Sequence, residues 1–214
     1  MRHQEEVHRL AMELRNCGSH FAVAVTGGGA PVCTSLFVHN GEGGGSSFMV
    51  DFQAPWGKEA SNRLYLKGFF DANSTIPTGF MMPPAVSLPK AVYMARGMFT
   101  SNNCVNRKAL EGEELPPGFT YPNLWGIALT AKLSYLNERV GREHQAHICA
   151  WRPERSYAWI QRFSPHWDRI DQEIACAEGV VRVMRFVAGI DKEPAASSIG
   201  LTRYGDDNHL GLRS

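Results

Sequence analysis

Phe21-Ala22-Val23-Ala24-Val25-Thr26-Gly27-Gly28-Gly29-Ala30-Pro31-Val32 is the stretch on which the fold turns. Phe21 to Val25 is a short, apolar, partly β-branched run of the kind that fits a buried strand. Three glycines then allow the tight, positive-φ backbone that other residues resist. Ala30-Pro31-Val32 opens a helix with proline in its first turn, where no backbone donor is needed. A strand, a glycine turn and a helix in that order begin an α/β unit. Such a turn aims free N–H groups and the positive helix end at one point, so Thr26, Gly27, Gly28, Gly29 and Ala30 form a candidate anion cradle. The alternative is a turn that needs the glycines only for its own geometry.

Upstream, Val7, Leu10, Ala11 and Leu14 recur at helical spacing, and Gly18 stands where a helix end favours it. Downstream, the glycine-rich tract 41–47 reads as a loop, Phe48 to Ala54 as a strand, and Lys58 to Lys67 as a short helix with Ala60, Leu64 and Leu66 inward. Residues 71–86 carry three prolines and read as irregular. Pro89 to Thr100 places Val92, Ala95, Met98 and Phe99 on one helical face. Leu124 to Leu133, His147 to Arg152 and Ser156 to Phe163 read as strands. Asp168 to Val187 closes the domain as a long helix, with Ile170, Ile174, Ala177, Val181, Met184 and Val187 inward. These elements predict a three-layer α/β/α sandwich around a mixed sheet, spanning residues 1–189. Residues 190–214 have few large apolar groups and are expected to be a flexible tail or linker.

The 214 residues carry 22 basic and 21 acidic side chains, a formal charge of +1 that offers no field for a polyanion. Nucleic acid is therefore not an expected partner. No apolar run is long enough to cross a bilayer, and the first residues mix acids with bases, unlike a secretion signal. The five cysteines are odd in number, widely spaced and without a CxxC pair. Reduced thiols in a cytoplasmic protein are the expectation, with no metal and no cofactor. His144 and His147, three apart at a strand start, point to opposite faces and lack a third ligand. Arg142 is a candidate contact for a phosphate or carboxylate. Trp151, Trp159 and Phe163 read as cross-strand core, whereas Trp56, beside Pro55 and Gly57 at a strand end, is placed to line a pocket.

The Thr-Gly-Gly turn after the first strand, a Gly-Ser-Ser loop before the second, and the later strand Gly126-Ile127-Ala128-Leu129-Thr130-Ala131 occur in one order. Together with Gly141-Arg142-Glu143-His144-Gln145-Ala146-His147-Ile148, they resemble the CinA C-terminal domain family over about residues 5–188. The resemblance implies an α/β domain whose active members deamidate nicotinamide mononucleotide. It also implies a serine nucleophile ahead of the Thr-Gly-Gly, assisted by a tyrosine and a lysine after the second strand. At the matching positions this chain has Ala24, Trp56 and Ser61. A methyl group cannot attack a carbonyl, and an indole N–H shuttles no proton near neutral pH. The expectation is a noncatalytic CinA-like domain that keeps a pocket for a pyridine nucleotide or another small phosphorylated ligand, or acts as an oligomerisation module such as a homodimer. Its ligand contacts would be Thr26, Gly27, Gly28, Gly29, Ala30, Trp56 and Arg142. The alternative is an active amidohydrolase with a rearranged set drawn from Thr26, Lys58, and Ser46 or Ser47.

Overall fold

The computed structural model describes residues 4–37, 48–55, 58–70, 76, 78–103, 123–134, 144–194 and 199–204. Five helices and six strands are present among them: α1 (Gln4–Met12), β1 (His20–Thr26), α2 (Ala30–Phe37), β2 (Met49–Gln53), α3 (Lys58–Phe69), α4 (Leu88–Asn102), β3 (Leu124–Lys132), β4 (Gln145–Arg152), β5 (Arg155–Arg162), α5 (Arg169–Val187) and β6 (Leu201–Arg203). A single 3-10 turn, Glu13–Asn16, extends α1 and keeps Leu14 buried. The glycine tract 41–47, Trp56, most of 71–77 and Arg142 lie outside the described residues.

The strands form one mixed sheet in the order β2-β1-β3-β4-β5-β6. β1 pairs in parallel with both β2 and β3, and the remaining pairings are antiparallel. The chain leaves β1 through α2 to reach β2 on one side. It returns through α3 and α4 to reach β3 on the other. Right-handed crossovers in opposite directions put their helices on opposite faces of the sheet. Accordingly Phe21, Val23 and Val25 of β1 pack with α1, α2 and α5, while Ala22 and Ala24 pack with α3 and α4. The result is the expected three-layer α/β/α arrangement.

Local chemistry explains the boundaries. Ser87 caps α4 by accepting from the Lys90 N–H, with Pro89 in the first turn, and Asp168 caps α5 by accepting from the Asp171 N–H. β3 is buried along all but its last residue, as befits a central strand covered on both faces. Phe48 makes edge-to-face contacts with Phe21 and Phe37, both at 6.3 Å, which hold the entry to β2 against β1 and α2. Each such pair adds about 0.5–1.5 kcal/mol to its area burial.

Three sequence expectations are corrected. Within α3, Ala60 is exposed, and Ser61, Leu64, Tyr65 and Gly68 face inward instead. The reason is close helix contact: a Cβ on Gly68 would overlap the Tyr93 carbonyl oxygen of α4. Ile170, in the first turn of α5, is 68% exposed, because Gln172 of that turn, 1% exposed and accepting from the Ser134 N–H, takes the inward position. The segment after residue 189 is not wholly a tail. Ile199 and Leu201 are buried, and β6 pairs antiparallel with β5. Gln161 of β5 explains the docking, since its Nε2 donates to the carbonyls of Ile199 at 3.1 Å and Ala175 at 2.9 Å. Trp159 and Phe163 are core, as expected, and Trp151 is partly buried against Phe99.

Candidate functional site

β1 ends at Thr26, opposite Thr130 of its parallel neighbour β3, which runs on to Lys132. The strand order β2-β1-β3 reverses direction here, and open α/β sheets take ligands outside the carboxyl ends of strands at such a reversal. A cavity of about 420 Å³ opens at this place. One wall is Thr26, Gly27, Gly28 and Ala30. Val25, Pro31, Pro55, Val86 and Leu133 supply apolar surface, and Lys132, Arg169 and Glu173 supply charge.

The predicted cradle has a different occupant from the one expected. The backbone N–H of Gly29 donates to Oε2 of Glu173, so a carboxylate from α5 already sits at the start of α2. Arg169, one turn earlier on α5, donates from Nε to Oε1 of Glu173 at 2.9 Å and from Nη1 to the Ser134 carbonyl at 3.2 Å. Its side chain is about one-third exposed, against 16% for that of Glu173. Gln172 of the same helix accepts from the Ser134 N–H at 2.8 Å. The first turn of α5 thereby ties the end of β3 to the start of α2.

The glycines also serve packing. Gly27 and Gly29 have φ of +83° and +80°. A Cβ on Gly27 would overlap the Ala131 carbonyl, one on Gly28 would meet the Leu133 side chain, and one on Gly29 would press on Cys176. The turn therefore fits tightly against β3 and α5 while its outer side lines the cavity.

Of the three positions matched to a nucleophile and its helpers, Ala24 and Ser61 are described, and neither lines the cavity. Ala24 is fully buried in the layer beneath α3 and α4. Ser61 is 6% exposed and its hydroxyl donates to the Lys58 carbonyl at 3.0 Å. Lys58 begins α3 with its side chain exposed. The Thr26 hydroxyl donates to the Pro55 carbonyl at 3.2 Å, which links the end of β1 to the approach to α3. Neither Lys58 nor Ser61 lines the cavity. The described residues thus bring Thr26, Gly27, Gly28 and Ala30 together with Pro55, and leave Ala24, Lys58 and Ser61 apart.

Sequence reasoning missed Arg169 and Glu173. Their i, i+4 spacing at the start of the last helix was a legible ion pair, but its orientation towards the first helix was not. His147 also has a role that spacing did not reveal. It is 6% exposed, its Nδ1 lies 2.8 Å from the Tyr204 hydroxyl, and burial followed by nearby Arg162 holds its imidazole below the usual pKa. Among the described residues no group of three or more His, Cys, Asp or Glu side chains could hold a metal ion. No described helix is long and apolar enough to cross a membrane.

Fold and cavity together define an α/β/α domain with a crevice at the reversal point of its parallel strands. The same fold is seen in solved structures of CinA superfamily proteins. The chain aligns with the competence/damage-inducible protein CihA from Agrobacterium tumefaciens at a TM-score of 0.56 and 12% identity, covering 86% of this chain and 94% of that one. A CinA superfamily protein from Escherichia coli gives 0.56 and 10%, covering 87% and 92%. Another from Klebsiella pneumoniae gives 0.50 and 14%, covering 86% and 93%. No family model and no curated protein matches the sequence.

Proposed function

We propose that this chain is a noncatalytic CinA-like domain that binds a small phosphorylated ligand of the pyridine-nucleotide class in the crevice between β1, β3, α2 and α5. The observation that carries this reading is the 420 Å³ cavity itself, at a strand-order reversal and with polar and apolar walls. Its volume falls in the range of about 300–1,000 Å³ typical of small-molecule sites. The negative group of the ligand goes to the exposed part of Arg169 and to Lys132, because Glu173 already accepts the Gly29 N–H. Pro31, Pro55, Val86 and Leu133 cover the uncharged part. Catalysis is left out because Ala24 offers no nucleophile and the Thr26 hydroxyl is engaged by a backbone carbonyl.

The test is thermal-shift titration with nicotinamide mononucleotide, nicotinate mononucleotide and NAD, alongside an ammonia-release assay. A ligand that binds only the folded state raises the apparent melting temperature as its concentration passes Kd. The expected result is a saturable rise for at least one nucleotide, removed by Arg169→Ala, with ammonia release at the heat-killed background. No shift with any of the three overturns the binding reading. Ammonia release that Thr26→Ala or Lys58→Ala abolishes overturns the noncatalytic one.

A further inference from the structure

Among the described residues that line the crevice, Glu173 is the one carboxylate, set against the cations Lys132 and Arg169. Both of its oxygens are engaged. Oε2 accepts the Gly29 N–H at the start of α2, and Oε1 accepts from Nε of Arg169 at 2.9 Å and lies 2.7 Å from its Nη2. The first contact fills the anion-attracting end of α2 with a charge of the protein's own. The second occupies part of the guanidinium's fork of donors, and the Ser134 carbonyl occupies another part. The remaining N–H groups belong to a side chain about one-third exposed, and these are what Arg169 offers a ligand.

This arrangement fixes a charge balance. Two cations and one carboxylate leave a single positive charge to be matched. The charged and titratable groups around Glu173, among the described residues, are Arg169 of its own helix, Lys132 on β3 across the cavity, and the thiols of Cys33 and Cys176. Burial, and after it the Glu173 carboxylate, push both thiols up, so they carry no charge near neutral pH. A ligand anion on the remaining donors of Arg169 lies only a guanidinium's width from the carboxylate. Its first negative charge is offset by the cations. A second is opposed by Glu173 at short range in a partly buried site, where water and salt screen weakly.

We infer that Glu173 selects the charge of the bound phosphate, so that the crevice takes a singly charged phosphodiester, as in a dinucleotide, in preference to the doubly charged terminal phosphate of a mononucleotide. A terminal phosphate gives up its second proton near about pH 6, whereas a diester has no second proton to lose. The inference rests on the nucleotide reading of the crevice and narrows it.

The test compares nicotinamide mononucleotide with the methyl ester of its phosphate, two ligands of one body that differ by one charge, in calorimetric titrations of the whole chain at pH 7.5. The ester is expected to bind wild type about tenfold tighter. Glu173→Gln keeps an oxygen for the Gly29 N–H and removes the charge. In that variant the mononucleotide should tighten about tenfold while the ester changes by less than about threefold. Wild type that binds the mononucleotide as tightly as the ester, or more tightly, overturns the inference, and so does a preference that survives Glu173→Gln unchanged. Either result leaves the nucleotide reading standing. Binding of neither ligand to wild type overturns that reading and the inference with it. A second measurement needs no variant. Between pH 8 and pH 5.5 the mononucleotide should close the gap to the ester as its phosphate takes up a proton, the ester controlling for protein groups that titrate in the same range. A gap that stays constant across that range also overturns the inference.

Discussion

Gly27 shows how one residue can be read correctly as a turn and still be misjudged in purpose. The run of three glycines was legible as a positive-φ turn, and Gly27 and Gly29 have that conformation. What the sequence withheld was the neighbour, since the overlap of a Gly27 Cβ with Ala131 depends on the register of β1 against β3. We predict that Gly27→Ala lowers stability by about 2–4 kcal/mol, from a positive φ and a backbone overlap together. Gly28→Val should cost less, because Gly28 has no positive φ and its obstacle is the movable Leu133 side chain. Denaturant midpoints at unchanged slope measure both. A harmless Gly27→Ala would mean that the turn is open enough to admit a ligand anion directly. Ala24→Ser adds a hydroxyl to a fully buried position in the apolar layer under α3 and α4. We expect that variant to release no ammonia from nicotinamide mononucleotide.

Elements were most legible where periodicity ran long. The stripes of α1 and α4 and the apolar runs of β1 and β3 lie where the sequence places them, within a residue or two at each end. The short and the polar elements were not. β6 has three residues, too few for alternation to register, and its docking depends on a glutamine that reads as an ordinary strand residue. Ile170 satisfied the helical spacing, yet the spacing could not reveal that Gln172 faces inward in the first turn of α5 and leaves Ile170 outside. Gln161 gives this scale its prediction. Gln161→Met keeps the length of the side chain but leaves the Ala175 carbonyl, and that of Ile199, without this donor. An unsatisfied buried acceptor costs about 1–3 kcal/mol. Hydrogen exchange should then quicken at the Arg162 amide, which donates to the Gly200 carbonyl across the β5–β6 junction. Unchanged protection there would show that Ile199 and Leu201 hold the strand by apolar contact alone.

At the scale of the whole molecule, buried ionisable groups pull stability in opposite directions as pH rises, and the balance separates Lys90 from the rest. Between about pH 8 and 10.5 the unfolded lysine keeps a proton that the folded one has lost, so the unfolded state binds more protons and stability rises with pH. Below pH 8 both states are protonated and the cost of the buried charge is present in full. The thiols of Cys33, Cys149 and Cys176 act the other way. Burial pushes each above its ordinary 9.0, so on passing that pH the unfolded state loses protons that the folded state retains. Tyr65, pushed up to about 12, adds to that loss above pH 10. The wild-type curve alone is therefore expected to decline above pH 9 and to hide the lysine. Its difference from Lys90→Met does not, because the thiols and the phenol are common to both proteins and cancel. At pH 7 the variant should be more stable by about 1–3 kcal/mol, since a lysine 1% exposed and with no carboxylate partner among the described residues has been replaced by an apolar chain of similar length. That advantage should shrink between pH 8 and 10.5, by no more than about 3 kcal/mol, as the folded wild-type amine loses its proton while the unfolded one still holds it. Urea unfolding of both proteins at pH 7, 8, 9 and 10 measures it. A difference that stays flat across the series would place the Lys90 pKa at its ordinary value. The ammonium would then have to be solvated or paired in the folded state as fully as in the unfolded one.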